Sequence, residues 1–523
     1  MTKKHEILEN IRIEKLIFWW SGLATAPDGR RIIISGGAIP DAIVDLRILK
    51  SKKNHFEAQI LRTVKRSPLE QDIPSEWQLY GGCKWLPIPY AKQLEIKNEQ
   101  IHEAFYPILK KLSEHGFLPT QEWWGQAEQI LRASEWQEQP KFHPIIASPE
   151  SEHYRNKVEF SWGKYISDRE GIHDEYRFGF HVQGQFDRIE DCRYCVLASD
   201  TINAIFRDID GYARSSGIPT YDPKRADGFW RHLVVREAKK TSEIMLVFSV
   251  NGVWQWTVNN EQWTIFEKMV QELTSKYPQI ASIYFLENTG RADIVTGNPV
   301  LLHGKPTITD ELLGLTFEIA PKSFFQVNTL GAEKLYGEVI KFIKWKVPKV
   351  SDMDNLTNLE PYKPWTLLDL YAGTGTIGIL LAKYFAKVYS VELVESASRD
   401  GEANAVRNNV TNVEFVNAKV EDFASEFAKN GWKADTIVLD PPRDGLHPSA
   451  IPHILSFGAN EIIYVSCNPS TLVRDLQVML GMTETEDEKK SELPKYKITD
   501  ITPMDMFPHT HHIETVVRLE KIN

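Results

Sequence analysis

Four cysteines in 523 residues are too few for a disulfide framework, so Cys83, Cys192, Cys195 and Cys467 are each read for chemistry or metal binding before bridging. No apolar run approaches the roughly 18 residues that a spanning helix needs. The start, Met1-Thr2-Lys3-Lys4-His5-Glu6, is not followed by a signal-peptide core, because Glu9, Arg12 and Glu14 break the apolar stretch. A cytoplasmic protein without membrane partners is expected, and no feature calls for more than a monomer. Positive charge is also short. A formal net charge of −10 excludes wholesale coating of nucleic acid, which requires clustered cations. The exception is residues 1–70, where thirteen Lys/Arg face eight Asp/Glu, a local excess of five positive charges.

What is present divides into three parts, as a length/150 prior of about three domains suggests. In residues 1–70, short apolar bursts (Ile11-Arg12-Ile13, Arg31 to Ile34, Ala42 to Leu46, Phe56 to Leu61) recur at spacings that predict a small β-barrel. Residues 71–310 open on a helix whose stripe is Leu94, Ile101, Phe105, Ile108 and Leu112. They continue through β-rich, aromatic stretches at 158–162, 178–182, 233–236 and 244–250, a mixed α+β middle domain. From 311 to 523, strands and helices alternate: Leu367–Tyr371, a helix after Thr376, Val388–Glu392, Thr436–Asp440, Glu461–Val465. That alternation predicts an α/β, Rossmann-like parallel sheet with helices on both faces. Polar stretches at 351–361 and 483–492 interrupt it as insertions without chemistry.

The first of those strands runs into Asp369-Leu370-Tyr371-Ala372-Gly373-Thr374-Gly375-Thr376-Ile377-Gly378, where glycines let a nucleotide-like cofactor approach the backbone. Gly373, Gly375 and Gly378 also fit G-x-G-x-x-G, a weak dinucleotide signal that leaves a nicotinamide oxidoreductase as a rival. S-adenosylmethionine is favoured by Asp369 inside the strand, placed to face a cationic methionine moiety. Glu392, at the end of the second strand, is placed to accept ribose hydroxyls. Asp440-Pro441-Pro442-Arg443 ends a later strand. Cys467 directly follows a strand and precedes Asn468, which can cap a helix beginning at Pro469. A thiol there is expected to have its pKa lowered from about 8.5. Glu514 opens the apolar strand Thr515–Leu519. His509, His511 and His512 lack common zinc spacing, so no metal is assigned to them.

Taken in order, Phe324-Phe325-Gln326-Val327-Asn328, the 369–375 loop, Asp440–Arg443, Ser466-Cys467-Asn468-Pro469 and Phe507-Pro508-His509-Thr510 to Glu514 resemble the RNA uracil-C5 methyltransferase family. The first seventy residues resemble its RNA-binding TRAM barrel. The likeness extends to Gly81-Gly82-Cys83 and Tyr154-Arg155-Asn156-Lys157-Val158. It implies Cys467 as nucleophile and Glu514 as general base. Gln326, Tyr371, Gly373, Gly375, Glu392 and Asp440 would be S-adenosylmethionine contacts, and Phe324 and Asn468 substrate contacts, with Phe324 stacking on the uracil. The partner implied is structured RNA, ribosomal RNA of the large subunit ahead of transfer RNA. A non-catalytic RNA-binding or ribosome-assembly factor is the rival from another class. Many bacterial members hold a four-cysteine iron–sulfur cluster. Here Pro74 and Tyr80 occupy two ligand places while Cys83 and Cys195 match the others, so no cluster is expected, although Cys192 keeps a residual zinc site conceivable.

Overall fold

The computed structural model describes residues 6–18, 21–74, 77, 82–114, 140–167, 172–182, 188–251, 261–344, 365–482 and 495–522. The two polar insertions, 351–361 and 483–492, and Tyr80 and Gly81 lie outside the described residues. Alternating apolar residues fold the N-terminal stretch into β1 (Ile7–Arg12), β2 (Lys15–Ile17), β3 (Ser21–Thr25), β4 (Arg31–Ser35), β5 (Ile43–Ser51) and β6 (His55–Lys65). These make one six-stranded sheet in the order β1-β5-β6-β4-β3-β2. Ile32, Ile34, Leu46, Ile48 and Phe56 fill its core, and Trp85, Ile88 and Ile96 from beyond the sheet join them.

Helix α1 (Tyr90–Glu114) and the short strand β7 (Lys141–Phe142) follow. Both fall within 71–310, yet β7 and the later turns of α1 join the C-terminal domain, while Ile96 on the first turns of α1 reaches the N-terminal core. Ile101, Phe105 and Ile108 of α1 lie in the same core as Leu368, Leu439 and Tyr464, and β7 pairs with a late strand of the C-terminal sheet. Among the described residues, neither α1 nor β7 packs in the core of the middle-domain sheet that follows them in the chain. A periodic stripe identifies a helix, but not the domain whose core receives it.

The middle domain is a seven-stranded sheet in the order β10-β9-β8-β11-β12-β13-β14, built from β8 (Lys157–Ser167), β9 (Ile172–His181), β10 (Ile189–Asp191), β11 (Trp230–Glu237), β12 (Ile244–Val250), β13 (Ile280–Glu287) and β14 (Pro299–Gly304). One face buries Val158, Phe160, Leu233, Val235 and Phe248 against α2 (Asp200–Ser215) and α3 (Glu261–Lys276). The opposite face turns Val234, Met245 and Val247 into the core shared with the C-terminal domain.

A hairpin, β15 (Ile308–Leu312) and β16 (Leu315–Ile319), leads through residues 320–328 into α4 (Thr329–Lys344). The remaining chain runs β17 (Thr366–Leu370), α5 (Thr376–Leu381), β18 (Lys387–Glu392), α6 (Glu395–Arg407), β19 (Val413–Asn417), α7 (Val420–Lys429), β20 (Thr436–Leu439), α8 (Ala450–Ser456), β21 (Glu461–Ser466), α9 (Pro469–Met479), β22 (Tyr496–Met504) and β23 (Glu514–Lys521). The eight-stranded sheet order is β19-β18-β17-β20-β21-β23-β22-β7, parallel from β19 to β21 and then antiparallel at β23. This is a Rossmann-like α/β architecture with an antiparallel strand inserted near one edge. The chain reverses direction across the sheet between β17 and β20, and ligands of open α/β sheets bind at that crevice, beyond the strands' carboxyl ends.

Candidate active site

Register brings distant residues to one edge. Leu370 pairs with Val391 and with Leu439, and Leu439 pairs with Tyr464, so Glu392, Tyr371, Asp440 and Cys467 all lie at the carboxyl ends of neighbouring strands. Ser466 pairs with Thr515, which sets Cys467 beside Glu514, the residues just past and just before that pair. Forty-seven positions of sequence are thereby closed by one antiparallel register.

The glycine loop is held from two sides. Glu392 accepts the Gly373 N–H at 2.9 Å through Oε2 and the Val394 N–H at 2.8 Å through Oε1. Asp369 is fully buried, and its Oδ2 accepts from Gly378 N–H at 2.9 Å and from the Ser390 hydroxyl at 3.3 Å, while its Oδ1 has no hydrogen-bond partner. Burial pushes Asp369 up to about 8. Asp369 thus braces the loop from beneath. Tyr371, Gly373 and Gly375 have φ of 61°, 55° and 66°, the left-handed region that a non-glycine residue adopts only under constraint.

At the other end of the cleft, burial raises the Cys467 thiol to about 11. The neighbouring Glu514 and Asp440 add to the rise, and Arg443 opposes it. This corrects the expectation of a lowered pKa: Asn468 caps α9 as expected, but burial of Cys467 beside carboxylates outweighs the helix terminus. Glu514 is 4% exposed, and burial, then Asp440, push it up to about 8. It is not the salt-bridged surface acid that an isolated carboxylate suggests. Asp440 rises to about 7 through burial. Asp440 raises both Cys467 and Glu514, and Arg443 is the cation that opposes the rise at both.

Asn468 spends its amide on the protein: Oδ1 accepts from Ser470 N–H at 3.1 Å and Nδ2 donates to the Arg443 carbonyl at 3.0 Å. Gln326 lies in the 320–328 segment, where its carbonyl accepts from Asn156 Nδ2 at 2.8 Å. Phe324, two residues earlier, is 64% exposed, while Phe325 is buried. The loop ahead of Glu514 is fastened to α1. Lys97, wholly buried, donates to Asp505 at 2.7 Å, and the Gln93 side chain meets His509 Nδ1 and His509 N–H, each at 2.9 Å. His509 serves this packing, while His512 lies by Arg443 and Phe507. His511 and His512 rings lie 4.1 Å apart, and burial depresses all three. Cys83, Cys192 and Cys195 are buried together in the middle-domain core. Among the described residues no group of three or more His, Cys, Asp or Glu is arranged to hold a metal ion.

With that geometry in place, known proteins supply the comparison. The profile of the tRNA (uracil-5-)-methyltransferase family matches residues 356–522. An uncharacterized RNA methyltransferase of Clostridium tetani is 33% identical over 98% of this chain and 97% of its own length. One of Clostridium acetobutylicum is 32% identical over 100% and 99%. The chain belongs to the RNA uracil-C5 methyltransferase family. Membership in this methyltransferase family bears out the resemblance carried by the five motifs and removes the oxidoreductase reading of G-x-G-x-x-G. The crystal structure of Pyrococcus abyssi tRNA (uracil-54, C5)-methyltransferase in complex with S-adenosyl-L-homocysteine shares the fold, with a TM-score of 0.66 at 23% identity over 97% of this chain and 99% of that one.

For an RNA uracil-C5 methyltransferase, two residues at the cleft carry no role in the sequence reading. Tyr336 on α4 is 4% exposed, hydrogen-bonded to the Gln326 side chain, and raised by burial and by the fields of Asp440, Glu514 and Asp369. In the sequence it passes for one more apolar position of a helix. Arg443 was visible in Asp-Pro-Pro-Arg, but only its placement against Cys467 and Glu514 shows its electrostatic part.

Proposed function

We propose that the protein methylates C5 of one uridine in structured RNA, with large-subunit ribosomal RNA as the substrate, through a transient bond between Cys467 and C6 of the base. The observation that carries this reading is the pairing of Ser466 with Thr515, which puts a thiol and a buried acid side by side. Uracil C5 is a poor nucleophile. When the Cys467 thiolate adds to C6, the S–C6 bond forms and the ring electrons pass to an enolate with C5 as its nucleophilic carbon. S-adenosylmethionine, when bound, supplies the electrophilic methyl group. Glu514 then takes the C5 proton, the C5–C6 double bond reforms, and the thiolate leaves. Phe324, being exposed, offers an aromatic face to an unstacked base. The choice of ribosomal RNA rests on the resemblance of residues 1–70 to a TRAM barrel, which is commoner among family members that modify large-subunit ribosomal RNA; the local excess of positive charge there suits either RNA.

The cofactor fits the cleft. Glu392 holds the loop at Gly373, Tyr371 and Asp440 end neighbouring strands at the same edge, and the loop's positive-φ residues bare backbone. At Gly375 a Cβ would press on Phe415 of β19, 2.4 Å from its Cε1, so the loop closes only on glycine. Gly375→Ala is expected to weaken S-adenosylmethionine binding about tenfold or more, since left-handed strain alone costs about 1–2 kcal/mol. Calorimetric titration checks it, and unchanged affinity would remove the loop from the cofactor site.

RNA carrying 5-fluorouridine tests the covalent step. Fluorine cannot leave as a proton does, so the adduct should persist as a shifted band on a denaturing gel. No band with cofactor present would favour an RNA-binding assembly factor. Mapping 5-methyluridine in total RNA with and without the gene identifies the substrate, and loss from transfer RNA instead of ribosomal RNA would overturn that choice. A pH dependence also follows. Cys467 and Glu514 both act deprotonated and both are raised, to about 11 and about 8, so kcat/KM should climb between pH 6 and 9. A flat profile over that range would count against both assignments.

A further inference from the structure

Lys157 and Arg236 are direct cross-strand partners in the β8–β11 register, on the sheet face turned toward the C-terminal domain. Two like charges opposite one another are destabilising and sheets avoid them. Neither has an acid bound to it. The Lys157 ammonium makes no hydrogen bond or ion pair among the described residues, and it feels Arg236 and Arg155 as repulsion, with Glu159 the only acid offsetting them. Arg236 is 5% exposed. One guanidinium nitrogen, Nη2, donates to the Ser323 carbonyl at 2.6 Å, and the buried Nε has no partner. Burying cations without an anion is costly, and a guanidinium beside an ammonium is a donor set suited to phosphate.

The location says which anion. Ser323 precedes the exposed ring of Phe324, and Asn156, next to Lys157, is bonded to the Gln326 carbonyl. We propose that Lys157 and Arg236 form a phosphate site that grips the RNA backbone beside the base presented to Phe324. The inference rests on the RNA-methylation reading, and it assigns the middle domain a contact to the nucleotide being modified.

Total RNA from cells lacking the gene is the probe, with equilibrium binding measured across salt concentrations and methyl incorporation followed in parallel. Lys157→Gln should weaken RNA binding about tenfold, the effect of losing one charged hydrogen bond. It should also lower the log–log salt slope by about 0.7–0.9. Lys157→Arg should restore both, and affinity for S-adenosylmethionine should stay unchanged. Because Lys157→Gln removes a like-charge pair, its melting temperature should hold or rise, which separates lost contact from lost fold. An unchanged salt slope overturns the proposal. So does a tenfold loss of cofactor affinity at unchanged slope, which would make the anion the cofactor's carboxylate. Absent methyl incorporation by the wild type, with the slope still responding to Lys157, would refute the methylation reading and leave the anion site standing.

Discussion

Cys467→Ala is expected to abolish methyl transfer, a loss on the order of 10⁴-fold or more, as removal of a covalent nucleophile produces. It should equally abolish trapping by 5-fluorouridine RNA. The loss should sit in kcat, because the RNA contacts proposed for Lys157, Arg236 and Phe324 and the proposed cofactor loop are untouched; affinity for RNA and for S-adenosylmethionine should change less than about threefold. The fold should tolerate the change, since Cys467 is only partly buried and lies outside the hydrophobic cores. An undiminished rate in the alanine variant would mean that C5 is activated without a bond to sulfur. Glu514 and Arg443 would then have to be reconsidered as groups acting directly on the ring.

The site was legible where local chain chemistry and sheet position coincide. Cys467, Asp440, Glu392 and Tyr371 each end a parallel strand, and the strand pattern of an α/β sheet announces that edge as the ligand side. Glu514 was legible only through its motif. Its proximity to Cys467 depends on β23 entering antiparallel beside β21, a pairing across about fifty residues that no local periodicity encodes. The same limit hid the allegiance of β7 and of the later turns of α1 to the C-terminal domain, and the opposition of Lys157 and Arg236. Energetics was less legible still. A helix terminus beside a thiol suggests a low pKa, but the sign is decided by burial and by two carboxylates brought in from other strands. Tyr336 could not be told from a core aromatic until its hydroxyl was found against Gln326.

Glu514→Gln should separate the two halves of the reaction. Addition of Cys467 to C6 does not require a base at C5, so the variant should still form the adduct and accept one methyl group. Without a carboxylate to take the C5 proton, the S–C6 bond should persist. Ordinary, unfluorinated RNA should then remain attached to the protein through denaturing electrophoresis, while turnover falls on the order of 10²–10⁴-fold. The same substitution carries a stability signature whose sign is fixed by the raised pKa. A buried acid raised from 4.5 to about 8 leaves the native protein fully stable below the unfolded value, and the native state loses stability as pH climbs from 4.5 through 8. Glutamine, which cannot ionise, should escape that loss. The melting temperature of Glu514→Gln relative to wild type should therefore increase from pH 5 to pH 9. Rapid release of methylated RNA by this variant would place the proton acceptor elsewhere, with Asp440, raised to about 7 in the same cleft, the next group to replace.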